Sequence, residues 1–278
     1  MNAARPLDRF PIIRTRSVDE VRGALARIYA KPAFEPTAGV KTLDASVNHH
    51  HLQHIELHYN KYGAAVRVGF PETDFFLQIF SLCGKGEAVI GKTTVSVGPG
   101  SSVVVSSHVG YQAFWAADFE RLVLKIEAEA LTHKLAAMTG QSIGAPLVMN
   151  PAPDFARPEA HILRDHFMFL VRELSAAVLP SPMVLAEFEQ ALMVMFLRAN
   201  RHNYSHLLEQ QPPDIAPWQV RGAEEYIETN WSQPIALEDL AAVTGVSARS
   251  LFRTFKRNRG YSPMDFVNQT RRRYKSKH

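Results

Sequence analysis

The stretch LAAVTGVSARSLFRTFKRNRGYSPMDFV, residues 240–267, decides the fold of the C-terminal part of the chain. A short apolar helix pattern ends at Gly245, where a helix would need a left-handed residue. Ser247 can cap a second helix that runs to Asn258, and Pro263 starts another, because proline is favoured at a first helical position. Two helices separated by a tight glycine turn predict a helix-turn-helix.

The second helix of this motif has an apolar face and a basic face. Leu251 and Phe255 recur at helical spacing and are expected to point inward. The side chains that this leaves outward are Ala248, Arg249, Ser250, Arg253 and Lys256. Arginine on such a face suits the major groove, because guanidinium pairs bidentately with guanine O6 and N7. Phosphate contacts are expected from Lys256, Arg257, Arg259 and the Ser247 hydroxyl.

The net charge of +4 is unevenly distributed along the 278 residues. Residues 247–278 contain ten lysines or arginines and a single acid, Asp265, so they carry +9 and leave −5 on the rest. This asymmetry points to a polyanionic partner, and the alternative is a merely solvated basic tail.

The N-terminal half has the pattern of an antiparallel β structure. Ser17 and Glu20 form a capping box that starts a helix ending before Pro32. Between about Val40 and Ile126, short runs rich in β-branched and aromatic residues alternate with glycine turns, and among these runs are Thr93–Val97, Ser102–Val105 and Tyr111–Trp115. Many short strands with regular turn signals predict a sandwich or barrel.

A helical hairpin follows at about residues 160–201. The apolar stripes on its two helices consist of Leu163, Phe167, Leu170 and Leu174, then Leu185, Phe188, Leu192 and Phe196. These stripes pack either on the barrel or against a second copy of the chain. The proline-rich stretch 208–218 is a semi-rigid linker and the predicted domain boundary.

The pattern L-A-x-x-x-G-x-S-x-R-x-L-x-R-x-F-K followed by G-x-S-P resembles the first helix-turn-helix and connecting helix of AraC/XylS-type transcription regulators. The upstream 200 residues resemble the cupin-like effector domain of that family through YGAAVRVG at 62–69 and the turn at Pro99 and Gly100. The resemblance implies base-edge contacts from Arg249, Phe252 and Arg253. Phe252 stands where the family usually has a polar residue, which suggests contact with a thymine methyl or extra packing.

The resemblance implies an α+β fold in three parts. Residues 1–207 form an antiparallel cupin-like β-barrel with its helical hairpin, for effector sensing and dimerisation. Residues 208–218 are the linker, and residues 219–278 form a small, shortened all-α helix-turn-helix domain. The family normally has a second helix-turn-helix, whereas this chain ends at His278. With one helix-turn-helix per protomer, sequence-specific DNA binding is expected to require a dimer.

The function expected from these observations is an effector-responsive DNA-binding transcription regulator, with activation favoured over repression. The expected partners are double-stranded DNA, a small anionic effector and a second copy of the chain, with RNA polymerase as a further candidate. A membrane is not among them, since the longest apolar run, Ala191–Leu197, is far too short for a bilayer. The single cysteine, Cys83, is expected in the core, and the protein is expected in the cytoplasm.

In such regulators the barrel holds an effector and an N-terminal arm folds over it. Residues 1–16 contain Arg5, Arg9, Arg14 and Arg16 against Asp8, so this arm carries +3 and favours an anionic ligand. One candidate is a small organic acid, aromatic acids being common effectors in the resembling family. Its expected apolar walls are Phe75, Phe76, Phe80, Phe114 and Trp115.

A second candidate effector is a cyclic dinucleotide such as cyclic di-GMP. Arg5 and Arg9 resemble the R-x-x-x-R element of PilZ-type domains, and Asp44 and Ser46 fit its companion element. His49 stands where that element needs glycine, so the match is incomplete. A chance solvated arm is the third possibility.

A metal-dependent cupin-type enzyme with a basic tail is the alternative function. His54, Glu56 and His58 would share one face of an extended strand, a donor set suited to a transition metal. The full cupin pattern, including a distant third histidine on another strand, is missing, so a polar strand face or loop is favoured. No catalytic residue, metal ligand or cofactor is predicted; a non-covalent effector is expected instead.

Overall fold

The computed structural model describes residues 5–29, 31–37, 39–139, 143–209 and 218–275. The chain divides into two compact units, one of residues 1–136 and 141–208 and one of residues 137–140 and 209–278. Most of the predicted linker, residues 210–217, lies outside the described residues.

The first unit contains eleven strands and five helices among its described residues. The strands are β1 (Pro11–Thr15), β2 (Ala33–Pro36), β3 (Ala45–His51), β4 (Ile55–Lys61), β5 (Val66–Phe70), β6 (Phe75–Cys83), β7 (Gly86–Ile90), β8 (Thr93–Val97), β9 (Ser102–Val105), β10 (Tyr111–Trp115) and β11 (Glu120–Glu127). The helices are α1 (Val18–Ile28), α2 (Ala128–Thr139), α3 (Pro158–Ser175), α4 (Pro182–Ala199) and α5 (Ser205–Glu209).

Two antiparallel sheets enclose the core of this unit, as the β pattern predicted. Their strand orders are β1-β3-β4-β11-β6-β9 and β2-β5-β10-β7-β8. Residues alternate between faces along each strand, so one face of each sheet supplies a single apolar cluster. Three predicted strands, at 93–97, 102–105 and 111–115, have the observed bounds, whereas β1 forms inside the segment that was predicted to be an arm.

The alternation along β6 corrects part of the predicted effector wall. Phe75 and Trp115 belong to the barrel cluster. The ring of Phe76 instead lies 6.3 Å from that of Phe196 on α4, and the side chain of Phe114 is 39% exposed. Cys83, expected in the core, is exposed, because β6 ends there and turns at a glycine.

The helical hairpin of α3 and α4 buries its main stripe on the first sheet. The rings of Phe80 and Phe167 are 5.3 Å apart, and Leu192 and Phe196 are fully buried. Of the two alternatives for that stripe, packing on the barrel is therefore the one that the structure shows. The outer side of the hairpin exposes four large apolar side chains beside polar ones such as Asp165, His166 and Arg172. The apolar four are Ile162, Phe169, Met183 and Val184.

The second unit contains four helices among its described residues: α6 (Trp218–Thr229), α7 (Leu237–Thr244), α8 (Ala248–Arg259) and α9 (Pro263–Lys275). Gly245 ends α7 at φ 67°, the left-handed conformation that the sequence predicted. The core of the second unit contains four fully buried side chains from α7, α8 and α9, which are Leu240, Leu251, Phe255 and Val267. Trp231 lies just beyond the end of α6, and its ring stacks on that of Tyr274 at 5.1 Å.

Candidate nucleic-acid interface and effector site

Helix α8 begins where the sequence placed its cap. The Ser247 Oγ accepts a hydrogen bond from the Ser250 backbone N–H at 3.2 Å. A hydroxyl that accepts one bond still has a proton to donate, so Ser247 retains a donor for a phosphate at this helix end. Leu251 and Phe255 anchor the helix from its inner side.

The outer face of α8 forms a continuous stripe of exposed side chains at helical spacing. The stripe consists of Arg249, Phe252, Arg253, Lys256 and Arg257. Phe252 is 42% exposed, so it lies on the surface of the helix rather than in the core. Within the described residues, the side chains of Arg249, Arg253 and Arg257 make no hydrogen bond or ion pair. Ala248 and Ser250 are only half-buried and flank the stripe.

Three arginines of the basic C-terminal segment bind within the second unit instead of adding to this stripe. Arg259, predicted to contact phosphate, holds Glu224 of α6 through two hydrogen bonds of 2.7 and 2.8 Å. Arg271 donates to the carbonyls of Trp231 and Gln233. Arg273 donates to Glu228 at 2.8 Å. The net charge of the segment therefore overstates the number of cations available to a partner.

Three of the four predicted effector residues come together in one open cavity of about 480 Å³. Arg5, Asp44 and Ser46 line it, and the Arg5 Nη1 donates to the Ser46 Oγ at 2.8 Å. Arg14 and Arg16, brought in by β1, line the same cavity. We call this the arm pocket. Arg14 is paired with Asp8, which does not line the pocket, and Asp44 of the pocket wall lies 3.6 Å from the Lys61 Nζ. Among the described residues, Arg5 and Arg16 are therefore the lining arginines without an acidic partner.

Arg9, the fourth predicted effector residue, lies outside the arm pocket. Its guanidinium donates to the backbone carbonyls of Ala176 and Ala177, just after α3. Beside it, the Leu7 N–H donates to the Ser175 Oγ at 2.9 Å, and the Leu7 side chain is fully buried. Leu7 holds this position at φ 56°, a conformation that a leucine keeps only where its surroundings enforce it. The segment at residues 5–10 thus connects the arm pocket to the end of α3.

The predicted histidine cluster forms with one change of member. Glu56 Oε2 lies 2.9 Å from His49 Nε2 and 3.3 Å from His58 Nε2, so these three side chains can approach a common ion. His54 lies outside the cluster, because it precedes β4 and its Nδ1 contacts Glu127. The other Glu56 oxygen, Oε1, accepts from the Lys125 Nζ at 2.8 Å.

Burial sets the protonation of this cluster. His58 is fully buried, and this desolvation lowers its pKa to about 4. Burial works in the opposite direction on Glu56. Hydrogen bonds from His49, His58 and Lys125 outweigh it and hold the pKa of the Glu56 carboxyl well below its ordinary value. The cluster is therefore a carboxylate beside a neutral imidazole and an ammonium group.

Residues 21–198 match the family model of the AraC-binding-like domain. This chain belongs to the AraC-binding-like domain family. The "Probable thc operon regulatory protein" of Rhodococcus erythropolis is 32% identical over 158 residues, which cover 54% of this chain and 46% of that protein. The chain thus spans less than half the length of this relative.

The crystal structure of the AraC-like transcriptional activator CuxR matches this AraC-binding-like chain along nearly its whole length. The match has a TM-score of 0.54 and covers 95% of this chain and 94% of that one, at 15% identity, so it shows a shared fold. The resemblance to AraC-type regulators is confirmed, as is the α+β, cupin-like architecture. Among the described residues, every helix is too short or too polar to span a bilayer.

One contact of the AraC-binding-like domain was missed at the sequence level. Glu189 on α4 is 2% exposed, and its two carboxylate oxygens accept from the backbone N–H groups of Gln53 and His54 at 2.8 Å each. This carboxylate fixes the turn between β3 and β4 to the helical hairpin. The sequence signal was a glutamate among the apolar residues of an otherwise hydrophobic helix face.

Proposed function

We propose that the chain is an effector-responsive, DNA-binding transcription regulator that acts as a homodimer and activates its target, and that it is not an enzyme. The exposed stripe on α8 carries the proposal. It presents four cations and one aromatic ring on the second helix of a helix-turn-helix, the element that enters the major groove in this motif. RNA polymerase is the partner that activation would require.

Within the stripe, the residues have different roles. Arg249 and Arg253, one turn apart near the start of α8, would contact guanine edges. Phe252 lies between them and would contact a thymine methyl, since its exposure argues against the packing alternative. Lys256, Arg257 and the Ser247 hydroxyl would bind phosphates on either side, with Ser250 beside the cap.

The exposed face of the helical hairpin supports the dimer. The rings of Phe169 on α3 and Phe188 on α4 lie 5.5 Å apart on this face, and Ile162 continues it along α3. The Arg172 guanidinium lies 5.0 Å from the Phe169 ring, and exposed aromatic residues with an arginine beside them are typical of a protein interface. Two copies joined there would bring two α8 helices to a two-fold symmetric site.

The arm pocket is the proposed effector site. Arg5, Arg14 and Arg16 present guanidinium groups around an open cavity, and such groups bind carboxylates and phosphates in a planar fork. A cyclic dinucleotide or a small organic acid fits this charge, and neither needs a metal or other cofactor. Binding would shift the arm, and the contacts of Leu7 and Arg9 would pass that shift to the end of α3.

The first experiment tests DNA reading. Sites selected by the wild-type chain from random DNA are compared for affinity with Arg253→Ala and with Arg272→Ala, which removes the same charge from α9. Arg253→Ala should lose about tenfold to hundredfold in specific affinity and relax the preference at one base pair. Arg272→Ala should weaken specific and random DNA equally. Equal effects of the two variants would mean that α8 contributes only non-specific attraction of its positive charge to DNA, without base-specific contacts.

The second experiment tests the effector. Titration calorimetry compares cyclic di-GMP with a panel of aromatic acids on the wild-type chain and on the double variant Arg5→Ala, Arg16→Ala. The ligand that binds should lose its binding in the double variant and should change DNA affinity in the wild-type chain. An effector that alters neither DNA affinity nor oligomeric state would contradict the mechanism.

A metal-dependent enzyme is the second candidate function, favoured by the approach of His49, Glu56 and His58. Against it, Lys125 occupies one oxygen of the only carboxylate in this cluster and would place an ammonium beside a dication. Metal analysis of the purified chain separates the two readings. A stoichiometric transition metal that is lost in His58→Gln would support the enzyme, whereas substoichiometric metal would support the regulator.

A further inference from the structure

The outer face of the second sheet carries a row of charged and aromatic side chains that crosses the strands. Phe114 on β10 is paired with Arg67 on β5 and with Glu87 on β7. All three side chains are exposed, and the Arg67 guanidinium carbon lies 5.9 Å from the centre of the Phe114 ring. Among the described residues, Arg67 and Glu87 make no ion pair. The row therefore places an exposed cation and an exposed anion on opposite sides of one aromatic ring.

The next row along the same face combines a protruding side chain with a hollow. Gln112 on β10 is paired with Gly69 on β5 and with Val89 on β7. Val89 is 38% exposed, so an apolar side chain stands out from the sheet. Gly69 has no side chain, and Ala33 is its partner on β2, so this side of the row is open. Both residues line a hollow of about 280 Å³.

The fold itself does not require a glycine at position 69. In the described part of the chain, a Cβ at Gly69 would contact only the Ala33 Cβ, at 3.7 Å, which is an ordinary van der Waals distance. Glycine weakens the interior of a strand, and it often marks a place where a ligand or another backbone approaches closely. The hollow at Gly69 is therefore explained better by a contact from outside the chain than by packing within it.

The two rows are complementary to themselves under one symmetry operation. A two-fold axis that runs along the strands between two facing copies places β5 of each copy opposite β7 of the other, and β10 opposite β10. Arg67 then faces Glu87 of the second copy, Phe114 faces Phe114, and Val89 enters the hollow at Gly69. An axis across the strands would instead place Arg67 opposite Arg67 and Glu87 opposite Glu87, which like-charge repulsion disfavours.

We propose that this surface binds the same surface of a second copy of the chain, with the two sheets about 10 Å apart. The strands β5, β10 and β7 form the centre of the contact, because twisted sheets approach each other most closely there. On the edge strand β2, Glu35 faces Ser96 of the second copy, so that acids do not meet. We call this surface the sheet face, and its central residues are Arg67, Gly69, Glu87, Val89, Gln112 and Phe114.

The size of the sheet face indicates a weak contact. Five strands about 4.8 Å apart and about 17 Å long give a surface of about 24 by 17 Å. Stable interfaces bury about 800 Å² of accessible surface on each partner, which is more than a surface of this size supplies. The contact should therefore matter most between chains that another interface or a shared DNA molecule already holds together. Joining two hairpin dimers in this way would let one assembly occupy two DNA sites.

The test is self-association of the full chain, measured by sedimentation velocity at low ionic strength up to high micromolar concentration. Phe169→Glu is the parent chain, because it removes the hairpin contact and leaves the sheet face. In this parent, Arg67→Glu and Glu87→Arg should each weaken association at least about tenfold, since each variant places only like charges opposite each other. A mixture of the two variants should associate as the parent does, because one supplies acids and the other arginines at both positions.

Two further variants separate the contact from the fold and from general charge. Arg27→Glu reverses the same charge at an exposed position on α1 and should leave association unchanged. Gly69→Val fills the hollow without changing charge and should weaken association at least about tenfold. It should leave the thermal midpoint unchanged or raised, because a β-branched residue replaces a glycine in a strand.

Three outcomes would overturn the sheet face as a self-association surface. The first is that the Phe169→Glu parent is monomeric at every concentration. The second is that Arg67→Glu and Arg27→Glu have equal effects. The third is that the mixture of Arg67→Glu with Glu87→Arg associates no more tightly than each variant alone, which would place the contact elsewhere on the chain. None of these outcomes bears on DNA reading by α8 or on the effector in the arm pocket.

Discussion

His58 is a fully buried imidazole that the fold keeps neutral. The groups that face it are Glu56 and Lys125 from the sheet, the ring of His49 at 4.6 Å and the ring of Tyr29 at 5.0 Å. Desolvation lowers its folded-state pKa to about 4, whereas the unfolded value is 6.5. Between these two values the unfolded chain binds a proton that the folded chain does not. Stability must therefore fall as the pH is lowered through this window.

The resulting prediction is how steeply the free energy of unfolding changes with pH. Each pKa unit corresponds to about 1.4 kcal/mol. Proton uptake by His58 in the unfolded chain should therefore lower the free energy of unfolding by about 2 kcal/mol as the pH falls from 6.5 to 5. Glu56 stays ionised in both states in this range and does not contribute, whereas the lowered pKa values of His50 and His202 act in the same direction. Urea unfolding at several pH values measures this slope for the first unit. It is followed by the fluorescence of Trp115, the one tryptophan that remains once Trp218 and Trp231 are replaced by phenylalanine. His58→Gln should flatten it, and an unchanged slope would contradict a neutral His58.

At the scale of elements, local sequence patterns predicted the helix ends and strands that depend only on residues close together in the sequence. The cap at Ser247, the left-handed Gly245 and the strand at 111–115 follow from turn chemistry and alternation, so they could be predicted. The partners of Arg9 and Arg259 could not, because they are 167 and 35 residues away along the chain. The replacement of His54 by His49 has the same cause, since only the pairing of β3 with β4 brings His49 beside Glu56.

Glu189 joins α4 to the turn between β3 and β4, and the contribution of this contact to stability can be tested by mutation. Glu189→Gln removes the charge and one of the two acceptors, and leaves a buried backbone N–H facing an amide. Bonds to charged groups contribute about 1.5–3 kcal/mol each, so the free energy of unfolding should fall by about 1–3 kcal/mol. Glu187→Gln, an exposed position on the same helix, should change it by less than about 0.5 kcal/mol. Urea midpoints of the two variants check this, and equal midpoints would contradict a structural role for Glu189.

At the scale of the whole molecule, charge and apolar surface are distributed so that each of the three proposed activities has its own surface. Among the described residues, arginines without an internal partner lie on α8, a second group of arginines lies around the arm pocket, and apolar side chains are exposed on the helical hairpin. One DNA-reading helix such as α8 contacts few base pairs, so its discrimination is limited to about 1–3 kcal/mol per good contact. Joining two such helices in one particle adds their contacts and makes binding depend on the hairpin face.

This dependence can be tested at Phe169, which lies at the centre of the exposed hairpin face. Phe169→Glu places a charge where a dimer would exclude water, so the dimer should dissociate at least about tenfold more readily. Thr94→Glu adds the same charge at an exposed position on β8 and should leave the dimer intact. Sedimentation equilibrium measures the assembly, and binding to selected sites measures the consequence. Phe169→Glu should lose specific affinity while keeping wild-type affinity for random DNA and wild-type thermal stability. A monomeric Phe169→Glu chain that still bound its selected site as tightly as the wild type would show that one α8 helix suffices.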